Sequence, residues 1–285
     1  MKRSAARRRA PRRARARRPA ASPPIPEVRV RTWAQLNEEL YAGSWRNPIG
    51  RYRSRFAFRG MQDVESTLAT ALQKLAPDPR GLEQPLLRNF RKFAQRSAVP
   101  EDSVWNWLAL GQHHGLPTRL LDWTFSPYVA LHFATAATER FDRDAVVWVV
   151  DYGRAHELLP GRLRTALRRE RADVLTAEML SAVARSLSDL DSLARRPFVA
   201  FFDPPSLDDR IVNQYALFSL LSSPTASLDE WLRAHPGLAR RIVVPAALKW
   251  EVRDKLDQAN LTERVLFPGL DGLSRWLRRY YMPRD

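Results

Sequence analysis

Cysteine is absent from all 285 residues. That excludes disulfides, cysteine-bound zinc and a thiol nucleophile, and it suits a reducing, cytoplasmic compartment. Long apolar runs are missing too. The longest candidates, 146–150 and 216–221, are strand-sized, far short of the roughly 20 residues a membrane-spanning helix needs. The amino terminus is positively charged with no apolar segment behind the charge, so it does not read as a secretory signal. There is no phosphate-binding P-loop, no Gly-x-Gly-x-x-Gly and no Gly-x-Ser-x-Gly nucleophile elbow. No His-Glu-x-x-His or comparable ligand spacing occurs, so no metal is expected. No pair of carboxylates stands out as a hydrolase dyad.

Acidic residues are missing from the first twenty positions, which carry ten Lys and Arg side chains. The chain's formal net charge is +16, so most of the excess belongs to this stretch and the remainder is mildly basic. Residues 1–26 alternate Arg, Ala and Pro. They cannot bury enough apolar surface to offset the entropy of ordering, and a disordered tail is expected. Such a tail is either a solvated segment or a nonspecific electrostatic contact for nucleic acid through residues 1–20.

What is abundant is large apolar side chains: nine Trp and twelve Phe supply a core. Order is expected from near Glu27. Trp33, Leu36 and Leu40 fall at helical spacing behind Thr32, a suitable N-cap. Residues 55–59 read as a short strand closed by Gly60. Helices are expected at 68–75, at 82–96 with Leu86, Phe90 and Phe93 on one face, and at 102–113 with Trp105, Leu108 and Ala109 inward. Ser126-Pro127 opens another helix, serine at the N-cap and proline at the first turn. The valine-rich run 145–151 reads as a buried strand, and 198–202, 216–221 and 241–244 as further strands. Residues 154–195 read as a charged, helical, peripheral insertion. Helices at 246–258 and 270–280 close the chain. Strands scattered among helices without a βαβ rhythm point to α+β: one mixed domain, 27–285, with a small central sheet of short strands surrounded by helices.

The densest patterning lies in 111–134. Gln112, His113 and His114 sit at a helix end. Arg119 and Asp122 then stand three apart in apolar surroundings, where charge is costly unless paired. Either the two pair and pin a loop to the core, or Arg119 faces a cleft and grips an anionic ligand in its planar fork. His113 or His114 suits proton transfer near neutral pH, although a histidine at a helix C-terminus also serves the helix dipole. Arg59, at the end of an apolar strand and followed by Gly60, suits a pocket rim. Gln214 offers donor and acceptor beside a hydrophobic strand. The stretch 266–273 reads as a packed turn.

In this order, these stretches resemble the FRG domain family, named for its Phe-Arg-Gly tripeptide, here Phe58-Arg59-Gly60. The family pattern continues Gln-His-Tyr-Gly-Leu-Pro-Thr-Arg-Leu-Leu-Asp-Trp-Thr, then Ser-Pro and Ala-Leu-x-Phe-Ala. Residues 112–134 carry it with His114 in place of tyrosine, and 210–218 and 266–273 carry its later pieces. The resemblance spans about 33–277 and leaves the tail outside. It implies a bacterial protein without a settled activity. A more distant, partial similarity is to mono-ADP-ribosyltransferases. Arg59-Gly60 stands where they have a strand-borne arginine and glycine. Thr124 and Ser126 lead into a helix with their Ala-x-x-Phe pattern, and Gln214 stands where they have a glutamate. Glutamine does not ionise, and so lacks the charge that stabilises a developing cation.

Three functions follow as expectations. The first is a recognition module that binds a nucleotide or a partner's charged segment, in stress or phage defence. The second is an ADP-ribosyltransferase-like enzyme acting on NAD, with Arg59 and Arg119 on phosphates, His113 or His114 moving protons and Gln214 orienting the ribose. Gly60, Asp122, Thr124 and Ser126 complete the expected ligand-binding set. The third is nucleic-acid binding through the tail. No cofactor is assigned; NAD enters as a possible substrate.

Overall fold

The computed structural model describes residues 24–283 apart from 77 and 96–98. The arginine-rich stretch therefore lies, but for its last three residues, outside the described residues. Those last residues include two that belong to the fold. Ile25 packs against the apolar core, and the Pro26 carbonyl accepts a hydrogen bond from the Arg241 amide.

Eight strands form one sheet. In spatial order they are β1 (Glu27–Arg29), β10 (Ala239–Val244), β6 (Ala145–Asp151), β4 (Phe56–Met61), β5 (Leu120–Thr124), β9 (Ala216–Leu221), β8 (Val199–Asp203) and β7 (Leu175–Thr176). The short β2 (Trp45–Arg46) and β3 (Arg51–Tyr52) pair separately. Only the two edge pairs, β1 with β10 and β7 with β8, are parallel; the inner pairs are antiparallel. This is the α+β arrangement that the irregular spacing of strands and helices predicts.

Both faces of the sheet are covered, which explains why β6 is a continuous apolar run instead of an alternating one: every residue from Ala145 to Val150 is buried. Side-chain alternation then sorts the core. Ala57, Trp123, Trp148 and Phe201 meet on one face. On the other, the core is in two parts. Over β4, β6 and β10, Phe58, Val147 and Val149 pack against Leu36, Leu40, Ala130 and Val252. Over β5, β9 and β8, Leu120, Phe218 and Phe202 pack against Trp105, Leu108, Leu163 and Leu180.

Helix starts follow the N-cap chemistry of the sequence. Thr32 accepts from the Gln35 amide ahead of helix Trp33–Tyr41, and Ser126 accepts from Val129 ahead of helix Pro127–Ala134. Elsewhere the structure departs from the sequence reading. Gly60 lies inside β4 and does not close it. Leu68 precedes helix Ala71–Leu75. In helix Glu83–Phe93 the buried residues are Glu83 and Leu87, while Phe93 is 80% exposed. The reason is electrostatic: Arg119 draws Glu83 inward, and the face carrying Leu87 turns in with it. Residues 154–195 are helical, but they also supply edge strand β7 and many of the leucines that close one half of the core.

Candidate functional site

β4 and β5 are neighbours, yet Phe58 and Thr124 are their single register pair. Past that pair the strands diverge, and a cavity of about 350 Å³ opens between the two halves of the core. Phe58, Asp122, Thr124 and Phe218 reach it from one face of the sheet, as their cross-strand register requires. Arg59, by alternation, starts on the other face. Its guanidinium crosses the gap, and Nη1 donates to the backbone carbonyl of Asp122. The Asp122 carboxylate stands 3.9 Å away. Burial holds Arg59 below the usual guanidinium range, and Asp122 opposes this. The Arg59 Nε–H is buried without a protein partner.

The glycine of the tripeptide works differently. A Cβ at Gly60 would lie 1.7 Å from the Ala130 carbonyl oxygen and 2.6 Å from the Ala134 amide nitrogen. Glycine therefore lets helix Pro127–Ala134 sit directly on β4. Phe58 fills the core, Arg59 enters the cavity and Gly60 permits the close packing that frames it.

The end of helix Val104–His113 forms another wall. Gln112 donates from Nε2 to both Asp122 carboxylate oxygens at 3.0 Å and accepts from the Thr118 hydroxyl at 2.6 Å. The amide is fixed, and so is Asp122. His113 Nε2 lies 2.6 Å from the Asp208 carboxylate. Burial holds His113 below its ordinary value; Asp208 opposes this, and Arg210 and His114 add to the lowering. Its Nε2–H donates to the Asp208 carboxylate, which can only accept.

Arg210 stands on the short helix Asp209–Asn213, whose N-cap is Asp208. Its guanidinium carbon lies 5.1 Å from the Phe267 ring centre, and its Nε–H too is buried without a protein partner. Arg140 reaches the same cavity from the turn Thr138–Arg140. Arg59, Arg140 and Arg210 thus face one lining carboxylate, Asp122, while Phe133 and Phe218 give apolar walls. Buried polar hydrogens without partners are rare and call for one. Planar guanidinium groups suit phosphate or carboxylate oxygens.

Gln214 lines the cavity and donates from Nε2 to the Leu266 carbonyl at 2.9 Å. Its own carbonyl accepts from the Thr124 hydroxyl at 2.7 Å. Next to it, Tyr215 adopts φ 48°, a left-handed conformation unfavourable for a non-glycine residue. This strained turn feeds β9 and sets Gln214 at the cavity edge.

Arg59, Gly60, His113, Asp122, Thr124 and Gln214 therefore converge on one cavity, and three other expected site residues do not. Arg119 is 4% exposed and engages Glu83 through Nε and Nη2 and Asp191 through Nη1. It neither pairs with Asp122 nor faces the cavity, because residues three apart in extended chain point to opposite sides. His114 is exposed and caps its helix outside the cavity. Ser126 is spent as an N-cap. Conversely, the sequence reading did not assign Gln112, Arg140 or Arg210 to the site. Arg210 had a signal, since it stands four residues before Gln214 with a short helix between. Arg140 lies in an irregular turn and had none.

Among the described residues, no group of three or more His, Cys, Asp or Glu side chains is placed to hold a metal ion, and no helix is long and apolar enough to cross a membrane. Residues 54–143 match the family model of the FRG domain. Comparison with curated proteins and with solved structures found no match.

Proposed function

We propose, from the FRG domain present at residues 54–143, that its cavity is a recognition site for a phosphate-bearing nucleotide. One observation carries this reading: two enclosed arginines, Arg59 and Arg210, whose Nε–H groups lack protein partners beside aromatic walls. Arg59 and Arg210 would take the phosphate, Phe133 and Phe218 the base, and the amides of Gln112 and Gln214 the sugar edge. Small-ligand sites run from about 300 to 1,000 Å³. The volume of about 350 Å³ suits a mononucleotide or one end of a dinucleotide. Arg210, Gln214 and Phe218 lie outside the matched segment, so the site needs the later part of the chain as well.

The test is thermal unfolding with AMP, ADP and NAD. A ligand at a hundredfold excess over its Kd stabilises the folded state by about 2.7 kcal/mol. Stabilisation by a nucleotide in the wild type, absent in Arg59→Ala, is expected. No stabilisation by any of the three contradicts the reading.

A second reading, NAD chemistry, is favoured by a separate observation. Arg59, Thr124 and Gln214 come from β4, β5 and the turn into β9, three successive strands of the sheet. An ADP-ribosyltransferase-like enzyme breaks the bond between nicotinamide and ribose and passes the ribosyl carbon to a nucleophile or water. Release of nicotinamide from NAD by the wild type, lost in Arg59→Ala, would replace binding alone with turnover.

A further inference from the structure

A second cavity, of about 770 Å³, adjoins the first, and Gln62 and Phe133 line both. His132 lies at its inner wall and is fully buried. Arg253 donates from Nη1 to His132 Nδ1 at 3.0 Å. A guanidinium has no acceptor, so Nδ1 is unprotonated and the ring hydrogen sits on Nε2. Burial, with Arg253 adding to it, pushes His132 down to about 3, and the ring stays neutral. The Nδ1 edge is held by Arg253 and lies 3.4 Å from the Leu261 carbonyl, and the residue lines the cavity. The Nε2–H has no protein partner.

The charges around it are unequal in their freedom. Arg279 is consumed by Glu263 and Asp257, two hydrogen bonds to each. Glu263 is shared between Arg279 and Arg253. Arg275 and Arg278, on helix Leu270–Tyr280, stand exposed at the rim with Glu139 opposite. Phe267 joins the two cavities: Arg210 of the first lies 5.1 Å from its ring centre and Arg275 of the second 4.4 Å. A neutral N–H donor without a protein partner in the wall and two exposed guanidiniums at the rim, Arg275 held over Phe267 with its Nε donating to the Asp271 carbonyl, favour an anion with oxygen acceptors.

We propose that this is a second anion subsite, and that the ligand is a nucleotide with two separated phosphates, one at Arg59 and Arg210 and the other reaching past Phe133 to the His132 Nε2–H, Arg275 and Arg278. The identity of the ligand rests on the nucleotide reading of the first cavity; the subsite itself does not. Dinucleotides and nucleoside bisphosphates have this chemistry, and a mononucleotide fills only half of it.

The test is calorimetric titration of the full chain with inorganic pyrophosphate, in wild type, Arg59→Ala and the double variant Arg275→Ala/Arg278→Ala. The last two positions are exposed, so the fold is retained; circular dichroism checks it. Two sites in the wild type, with one left in each variant, are expected. A single site that Arg59→Ala abolishes overturns the second subsite and leaves the first cavity's reading standing. A single site that survives Arg59→Ala but not the double variant keeps the subsite and removes the first reading. No binding overturns both. The link between the subsites is then read from adenosine 3′,5′-bisphosphate against AMP. Binding at least about tenfold tighter in the wild type, and equal in the double variant, is expected. Equal binding in the wild type overturns the link.

Discussion

Arg119 and Arg59 are both arginines drawn into the fold beside β5, 4% and 22% exposed, and they do opposite things. Arg119 meets two carboxylates, and each of its three nitrogens donates to one of them. Arg59 has one backbone carbonyl, a carboxylate at 3.9 Å and an enclosed Nε–H with no protein partner. Desolvation costs both side chains. In the first the cost is offset inside the protein; in the second it is left for something else to offset. Arg279 with Glu263 and Asp257 repeats the first pattern, and Arg210 repeats the second. Charge enclosed and matched marks structure here; what sets Arg59 and Arg210 apart is that an unmatched Nε–H goes with a guanidinium that lines the cavity.

The largest effect expected from this contrast lies on the matched side. Glu83→Ala leaves Arg119 buried with Asp191 alone and should cost about 3–5 kcal/mol, read as a lowered urea midpoint. A loss under about 1 kcal/mol would show that the pair is not a structural anchor.

Acid sharpens the same side. His156 is held down to about 4 by burial, with its Nε2 accepting from the Phe201 amide at 2.9 Å, and His132 down to about 3. Their folded values lie below the ordinary 6.5, so they bind protons on unfolding. Stability is then intact above pH 6.5 and falls toward about 4 and then about 3, by about 1.4 kcal/mol per pH unit for each histidine. For Glu263, burial alone would raise the carboxyl, but Arg279 and Arg253 hold it down to about 2. Its contribution is present above 4.5, the ordinary value, and is lost as pH falls toward 2. Urea midpoints should hold from pH 7 to about 6.5 and decline from there to pH 3; a flat profile would contradict these assignments.

Gly60→Ala should cost about 1–3 kcal/mol, because the new methyl meets the Ala130 carbonyl and forces helix and strand apart. Ligand affinity should fall with it, since Arg59 moves. Unchanged stability would remove the packing role given to this glycine. The smallest effect is assigned to His114→Ala: a stability change within about 0.5 kcal/mol and no change in nucleotide binding. Any clear loss of binding would return His114 to the site.

Much of the fold could be read from local chemistry. Thr32 and Ser126-Pro127 announce their helices because an N-cap acts within four residues. The valine run of β6 announces a strand covered on both faces. The central stretch 111–134 pointed to the site, and Gln112, His113, Asp122 and Thr124 are in it. What stayed hidden was set by partners far along the chain. Arg119 finds Glu83 and Asp191 at separations of 36 and 72 residues, and no spacing rule reaches that far. The burial of Glu83, and with it the turn of its helix away from Phe93, follows from that same distant pair. Arg140 enters the cavity only because the sheet splits between β4 and β5, which is a property of the whole fold.

The most direct measurement is calorimetric titration of AMP into the wild type and Arg59→Ala, with urea unfolding of both proteins alongside. Binding in the wild type that weakens at least about tenfold in the variant, roughly the 1.5–3 kcal/mol of a hydrogen bond to a charged group, is expected, with stability changed by less than about 1 kcal/mol. Loss of stability comparable to Glu83→Ala, with no binding to lose, would show that Arg59 is one more structural arginine and that the cavity has no ligand of this kind.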